Sequence, residues 1–166
     1  TAYLRSGVSG NDYYYNCDGY ISLQSDDGVS SIKCYDGEVH GSLDLKGSFA
    51  ESCNSSFANI GLLTGVKRLN KTAEELLFNQ KLPSEFSTSK SYFSLSNADT
   101  EWQIGATAIG QGNTTISPLH AAMLVSSIAN DGVLMRPYVI DRVVTAEEET
   151  VKQYDSGVYG SIMTGQ

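Results

Sequence analysis

Apolar residues follow one another almost without interruption between residues 119 and 129. This pattern is typical of a helix that is central to a hydrophobic core. Ser117 and Pro118 predict where the helix begins, because a serine hydroxyl caps the first turn and proline fits the first helical position. The Asn-Asp-Gly sequence that finishes at Gly132 predicts its end.

Short strands are predicted near both ends of the chain. Residues 142–144 and 150–154 are rich in β-branched side chains and predict a β-hairpin that turns through residues 147–149. The first forty residues are rich in Tyr, Ser, Gly and Asp. They predict short strands or loops around a turn at residues 25–28.

Two helices are predicted in the segment that follows. The first has Ser42 as its N-cap and Asp44 in its first turn, and it ends near Ser52. The second begins at residue 54 or 55 and runs to Gly65, because glycine suits the left-handed position that follows a helix.

The middle of the chain has weaker signals. A third helix is predicted over residues 71–79 with Thr72 as its cap, and Pro83 closes it. Residues 84–105 are polar and broken. We predict a loop there, anchored to the body of the protein by Trp102.

The composition indicates one globular unit over residues 1–166. The chain is 40% hydrophobic, which is enough for one sizeable core, and no internal repeat or linker is evident. A net charge of -8 with scattered Lys and Arg argues against nucleic acid or an anionic membrane surface as a partner. No apolar run approaches the roughly 20 residues that span a bilayer, so targeting elements are expected outside this sequence.

The three cysteines leave two arrangements open. Cys17 and Cys34 flank a segment rich in Gly, Ser and Asp and could form one bridge beside a free Cys53, or all three could be thiols. His40 and His120 show no ligand-type spacing with the cysteines, so neither a structural zinc site nor any other metal or cofactor is expected. Both histidines are interpreted as capping or packing residues.

The triplet Ser52-Cys53-Asn54 is a weak signal by itself, because serine and asparagine are common in caps and turns. Its context is more specific. His40-Gly41 precedes it, and Phe57 follows it. Ile109-Gly110-Gln111-Gly112, Ser117-Pro118-Leu119, Ala129-Asn130-Asp131-Gly132 and Arg136-Pro137 then come in that order.

This succession, from about residue 34 to residue 144, resembles the transpeptidase domain of class B penicillin-binding proteins, which share their fold with serine β-lactamases. The resemblance implies the largely helical part of such an α+β domain, with a C-terminal β-hairpin and an incomplete central sheet. It implies acyl transfer on the D-Ala-D-Ala end of a peptidoglycan stem peptide, and binding of β-lactams, without a cofactor. Ser52 would help to pass a proton toward the leaving group, and Asn54 would bind the substrate's backbone amide. Cys53 is interpreted as a small packing residue.

The other two motifs of the family, Ser-x-x-Lys and Lys-Thr-Gly, are not assigned in this chain. Ser87 and Lys90 fit the first pattern literally, but they follow the Ser-x-Asn triplet in a polar loop and are expected to be solvated. Met163-Thr164-Gly165 lacks the lysine of the second. The Gly110-Gln111-Gly112 loop lacks the ending of a phosphate-binding loop, so we interpret it as structural, directing the chain into the Ser117 helix.

The resemblance therefore implies a fragment that is inactive alone, from a parent anchored at the extracytoplasmic face of the cell membrane. Removal of its neighbours should expose apolar surface on the Ser117 helix, so the fragment is expected to pair with itself or to be marginally stable. Two alternatives stay open: part of a β-lactam-sensing or β-lactamase-type domain, and a noncatalytic surface-binding domain.

Overall fold

The computed structural model describes residues 1–7 and 10–162, and the chain divides into two compact units. Unit 1 comprises residues 1–73 and 93–114, and unit 2 comprises residues 74–92 and 115–166. The first boundary between the units falls between residues 73 and 74, which both belong to helix α3 (Val66–Glu75). The chain therefore has no linker at this boundary.

Unit 1 contains two pairs of antiparallel strands. Strand β1 (Tyr14–Cys17) pairs with β4 (Gly41–Asp44). Strands β2 (Tyr20–Ser25) and β3 (Gly28–Lys33) form a tight hairpin, which confirms the turn predicted at residues 25–28. Short 3-10 turns at Leu4–Ser6, Gly10–Asp12 and Tyr35–Gly37 complete this part of the unit.

The helices of unit 1 are α1 (Leu45–Ala50), α2 (Asn54–Thr64), most of α3, and α4 (Glu101–Ala108). The boundaries predicted for α2 are confirmed, with Gly65 at φ 78 directly after it. The cap predicted for α1 is wrong. Asp44 caps it by accepting a hydrogen bond from the Gly47 N–H, because Ser42 is held in strand β4.

Two further predictions in this region need correction. Helix α3 begins at Val66, not at residue 71, and Thr72 is a buried residue in its interior. Residues 101–105, predicted as the end of a loop, form the first part of α4, which Thr100 and Gln103 cap reciprocally. Trp102 does anchor this segment, because it packs against the buried residues Leu23, Ile32, Ala58 and Ala106.

Glycines allow α2 and α4 to approach closely. A methyl group at Gly61 would overlap the Ala108 side chain, and one at Gly105 would lie 2.8 Å from Leu23 Cδ1. Because a buried overlap of this kind costs about 1–3 kcal/mol, a larger residue at Gly61 would push α2 and α4 apart, and one at Gly105 would push α4 away from the β2–β3 hairpin. This close approach brings Ala108, the last residue of α4, against α2.

Unit 2 contains α5 (Pro118–Ala129), capped by Ser117 as predicted, and two antiparallel strand pairs. Strands β5 (Val133–Met135) and β8 (Val158–Ser161) form one pair, and β6 (Arg142–Val144) and β7 (Thr150–Gln153) form the predicted hairpin. The core of the unit comprises Leu77, Leu82, Met123, Leu134 and Ile162.

Helix α5 is buried on one face only. Val125 and Ile128 are 66% and 65% exposed, which confirms the apolar surface predicted for this helix.

Within residues 1–7 and 10–162, the helices are all too short or too polar to span a lipid bilayer.

Candidate active site

The Ser52-Cys53-Asn54 triplet forms the turn between α1 and α2. The Ser52 N–H donates to the Phe49 carbonyl at 3.2 Å, and the Cys53 N–H donates to the Ser48 carbonyl at 3.0 Å. Together with a left-handed residue between them, these two bonds constitute a Schellman motif, the common way of ending a helix. Ser52 occupies the left-handed position, with φ 49.

Helix α4 ends in the same way, but with glycine. Gly110 has φ 79, its N–H donates to the Thr107 carbonyl at 3.1 Å, and the Gln111 N–H donates to the Ala106 carbonyl at 2.9 Å. The Gly110-Gln111-Gly112 loop is therefore the stop signal of α4. The left-handed conformation destabilises a residue with a Cβ by about 1–2 kcal/mol, whereas glycine adopts it freely. Ser52 adopts the same left-handed conformation with a Cβ and therefore carries this steric cost.

Ser52 and Asn54 line one cleft. Phe49, Phe57, Ala108 and Ile109 complete its walls, and its volume is about 320 Å³. Ser52 is exposed, and Asn54 is half-buried. The structure thus brings the two predicted site residues together at the surface, while their roles in catalysis remain predictions.

The orientation of Asn54 is set by a backbone contact. Its Nδ2 donates to the Lys33 carbonyl at 3.0 Å. Since a carbonyl can only accept, the amide group of Asn54 must face Lys33 with its nitrogen. Within the described part of the chain, the carboxamide oxygen and the second N–H hydrogen have no hydrogen-bond partner, so they can bind a ligand in the cleft.

A buried network of hydroxyl groups connects the two helices on either side of the Ser52-Cys53-Asn54 turn. Ser56 Oγ donates to Ser48 Oγ at 2.7 Å, and Ser48 Oγ donates to the Asp44 carbonyl at 2.7 Å. Tyr13 Oη lies 2.9 Å from Ser56 Oγ and receives a hydrogen bond from Asn59. Ser48 and Ser56 are fully buried, so their hydrogen bonds hold α1 against α2 without competition from water.

Cys53 faces away from the cleft. It is fully buried in a small cluster with Cys17, Cys34 and Leu43, where all three cysteines are free. Burial raises the pKa of the Cys53 thiol to about 11. Burial also acts to raise the pKa of Cys17, but hydrogen bonds from Ser55, His40 and the Gly19 N–H outweigh it and lower that pKa to about 6.

The other residues that fit a family motif or could act as a base are not among those that line the cleft. Ser87 and Lys90 are exposed, as predicted. Ser30 and Lys33 also fit Ser-x-x-Lys, but residues three apart on a strand such as β3 point to opposite faces. Met163-Thr164-Gly165 lies outside the described residues. His120 is fully buried and bonded in unit 2, in agreement with a packing role.

Sequence reasoning missed the apolar walls of the cleft. Phe49 is 78% exposed, and its ring centroid lies 6.4 Å from that of Phe57 in an edge-to-face arrangement. Ala108 and Ile109 come from the end of α4, a helix whose first part was predicted as loop. The pair Thr100-x-x-Gln103 was the available signal, because it is a capping-box pattern before an apolar run.

Comparison with known proteins decides the family. The model of the penicillin-binding protein transpeptidase domain matches residues 1–158. The chain belongs to this family. The family inferred from the order of motifs is thereby confirmed.

The similar proteins agree with this assignment. The peptidoglycan D,D-transpeptidase PbpA of Mycolicibacterium smegmatis is 30% identical over 112 residues, which are 66% of this chain and 22% of that protein. The chain thus spans about a fifth of the length of this relative.

Solved structures match nearly the whole chain. Penicillin-binding protein A from Mycobacterium tuberculosis, as its imipenem acyl-enzyme complex, is 22% identical with a TM-score of 0.87, over 98% of this chain and 37% of that one. The D,D-transpeptidase domain of a peptidoglycan glycosyltransferase from Eggerthella lenta is 24% identical with a TM-score of 0.85, over 98% and 42%. These likenesses confirm the predicted α+β transpeptidase fold.

Proposed function

We propose that this chain supplies the Ser-x-Asn wall of a serine D,D-transpeptidase site, in a protein that crosslinks peptidoglycan stem peptides and is acylated by β-lactams. The observation that carries the proposal is the shared cleft, in which a strained Ser52 and a tethered Asn54 are turned to one open space. Membership of the penicillin-binding family supplies the chemistry that such a pair would serve.

The reaction has two steps. A serine in a part of the protein beyond this chain attacks the carbonyl carbon of the D-Ala-D-Ala bond, an ester forms, and the terminal D-Ala leaves as an amine after receiving a proton. The amine of a second stem peptide then attacks the ester, so that a crosslinking amide forms and the serine regains its proton. With a β-lactam the ring amide opens, and its amine stays attached.

Ser52 suits the proton transfers in this scheme. A hydroxyl group can accept a proton from one neighbour while it donates its own to another. Asn54 suits substrate orientation, because its free carboxamide oxygen and N–H hydrogen can bind a backbone amide without adding charge.

Labelling with a fluorescent penicillin tests the proposal. The full-length protein that contains this chain is expected to retain one covalent label on a serine that precedes Ser52, and the 166-residue chain is expected to retain none. Rapid release of the label as hydrolysed drug would favour a β-lactamase-type domain instead. Absence of any label on the full-length protein would favour a noncatalytic domain and contradict the proposal.

The location and assembly of the protein form part of the same proposal. A site for stem peptides requires the extracytoplasmic face of the cell membrane, where the parent would be anchored by a segment outside this chain. The exposed Val125 and Ile128 on α5 favour self-association of the isolated chain. Light scattering is expected to show dimers or larger species, whereas a stable monomer at high concentration would contradict this.

A further inference from the structure

The three cysteines and one histidine of unit 1 meet at a single point. Cys17 ends β1, Cys34 follows β3, His40 precedes β4, and Cys53 directly precedes α2. Their Sγ and ring nitrogen atoms all lie within 4.8 Å of one another. Residues without ligand-type spacing in the sequence are thus brought together by the fold.

Three of the six distances among the four donor atoms are close to the edges of a coordination tetrahedron. Cys17 Sγ lies 3.6 Å from Cys34 Sγ and 3.3 Å from His40 Nδ1, and Cys34 Sγ lies 3.8 Å from Cys53 Sγ. With Zn–S bonds of about 2.3 Å and a Zn–N bond of about 2.0 Å, tetrahedral geometry requires about 3.8 Å between sulfurs and about 3.5 Å between sulfur and nitrogen. A disulfide would need about 2.05 Å.

The groups are also shielded from solvent. Cys17 and Cys53 are fully buried, Cys34 is 4% exposed, and the side chain of His40 is 6% exposed. Three sulfurs and one imidazole form the Cys3His donor set of closed structural zinc sites, which have no position open to substrate. Softer sulfur ligands disfavour Mg²⁺ and Ca²⁺.

The surroundings include the partners that metal ligands usually have. Ser55 Oγ lies 3.2, 3.5 and 3.4 Å from the sulfurs of Cys17, Cys34 and Cys53. The Gly19 N–H donates to Cys17 Sγ at 3.4 Å. The other ring nitrogen of His40, Nε2, lies 3.7 Å from the Glu38 carboxylate. Such outer contacts orient the ligands and stabilise thiolates.

We propose that Cys17, Cys34, His40 and Cys53 bind one structural zinc ion. The ion would tie the base of the β2–β3 hairpin and the β1–β4 pair to the start of α2. Because Cys53 lies between Ser52 and Asn54, binding of the ion would also hold the turn that carries these two residues. If the proposed function is right, the zinc ion holds the catalytic turn in position, but the metal site itself does not depend on that function.

Metal analysis tests the site directly. The 166-residue chain and the full-length protein, purified under reducing conditions, are expected to contain about one zinc per chain, and Co²⁺ in its place should give the strong visible absorption of a tetrahedral thiolate complex. Cys34→Ser should lose the bound zinc. Ser55→Ala, which removes a contact but no ligand, should keep one zinc with affinity lowered about 10- to 100-fold.

Several outcomes would overturn the proposal. The first is a reduced wild-type protein that neither contains zinc nor takes it up from zinc chloride. The second is a different metal bound in equal amount. The third is a Cys17–Cys34 disulfide, found by mass spectrometry in protein from its native compartment. The metal content is read without any acylation assay. A protein that binds zinc but is not labelled by penicillin would therefore disprove the proposed function and leave the metal site intact.

Discussion

Replacement of Ser52 by glycine is expected to lower the rate of acylation by penicillin about 10²- to 10⁴-fold in the full-length protein, because a proton-transferring hydroxyl is lost. The same change should leave the 166-residue chain as stable as before or more stable. Glycine adopts φ 49 without the steric cost that serine pays at this position, which offsets its greater freedom in the unfolded chain. Stopped-flow labelling and urea unfolding measure the two effects.

Ser52→Ala is the matched control for this experiment. Alanine also lacks the hydroxyl but keeps the Cβ and hence the strain, so it should lose acylation equally and unfold at a lower urea concentration than the glycine variant. Gly110→Ala, at the equivalent position of α4, should lower stability, because it introduces the strain where it is now absent. An acylation rate in Ser52→Gly within a few-fold of wild type would remove Ser52 from the mechanism.

The second large effect is expected at His120. His120 Nε2 lies 2.7 Å from the Leu76 carbonyl, so it must carry the proton, and Nδ1 then accepts from the Ser91 hydroxyl at 2.7 Å. Its ring centroid lies 4.8 Å from that of Phe78. His120→Ala removes these contacts, so the Leu76 carbonyl loses the ring N–H that bonds it and the Ser91 hydroxyl keeps only the hydrogen bond from the Ser117 N–H. We expect the free energy of unfolding to fall by about 3–5 kcal/mol.

Two variants separate the causes of this loss. His120→Asn can still accept from Ser91 but cannot reach Leu76, so its loss should be intermediate. Ser126→Ala, on the exposed face of α5, should change stability by less than about 0.5 kcal/mol. Urea unfolding followed by circular dichroism gives the comparison, and a loss below about 1 kcal/mol for His120→Ala would show that the network contributes little.

Elements with strong local signals were predictable from the sequence. Helix α5 begins at the predicted Ser117-Pro118 pair, and α2 ends at the predicted Gly65, because capping and proline geometry act within a few residues. The β6–β7 hairpin likewise follows from apolar runs around a polar turn. Helix α4 was missed because eight residues are too few to show a helical period, although its capping box was present.

The N-cap of α1 was predicted wrongly because a residue distant in sequence pairs with the backbone of the predicted cap. Ser42 has good N-cap chemistry, but residues 41–44 pair with residues 14–17, and the strand takes Ser42 out of the helix. Asp44, the last residue of that strand, therefore becomes the cap. A pairing partner almost thirty residues away leaves no local trace in the sequence.

The sequence by itself determined the family, through the order of its motifs, and it identified Ser52 and Asn54 as the pair to examine. Only the tertiary structure decided what surrounds them. It put Ser52 in a left-handed conformation that serine disfavours, closed the cleft with the end of α4, and gathered Cys17, Cys34, His40 and Cys53 around one point. Motif order is a property of the chain, whereas convergence depends on strand pairing and helix packing between residues far apart in sequence.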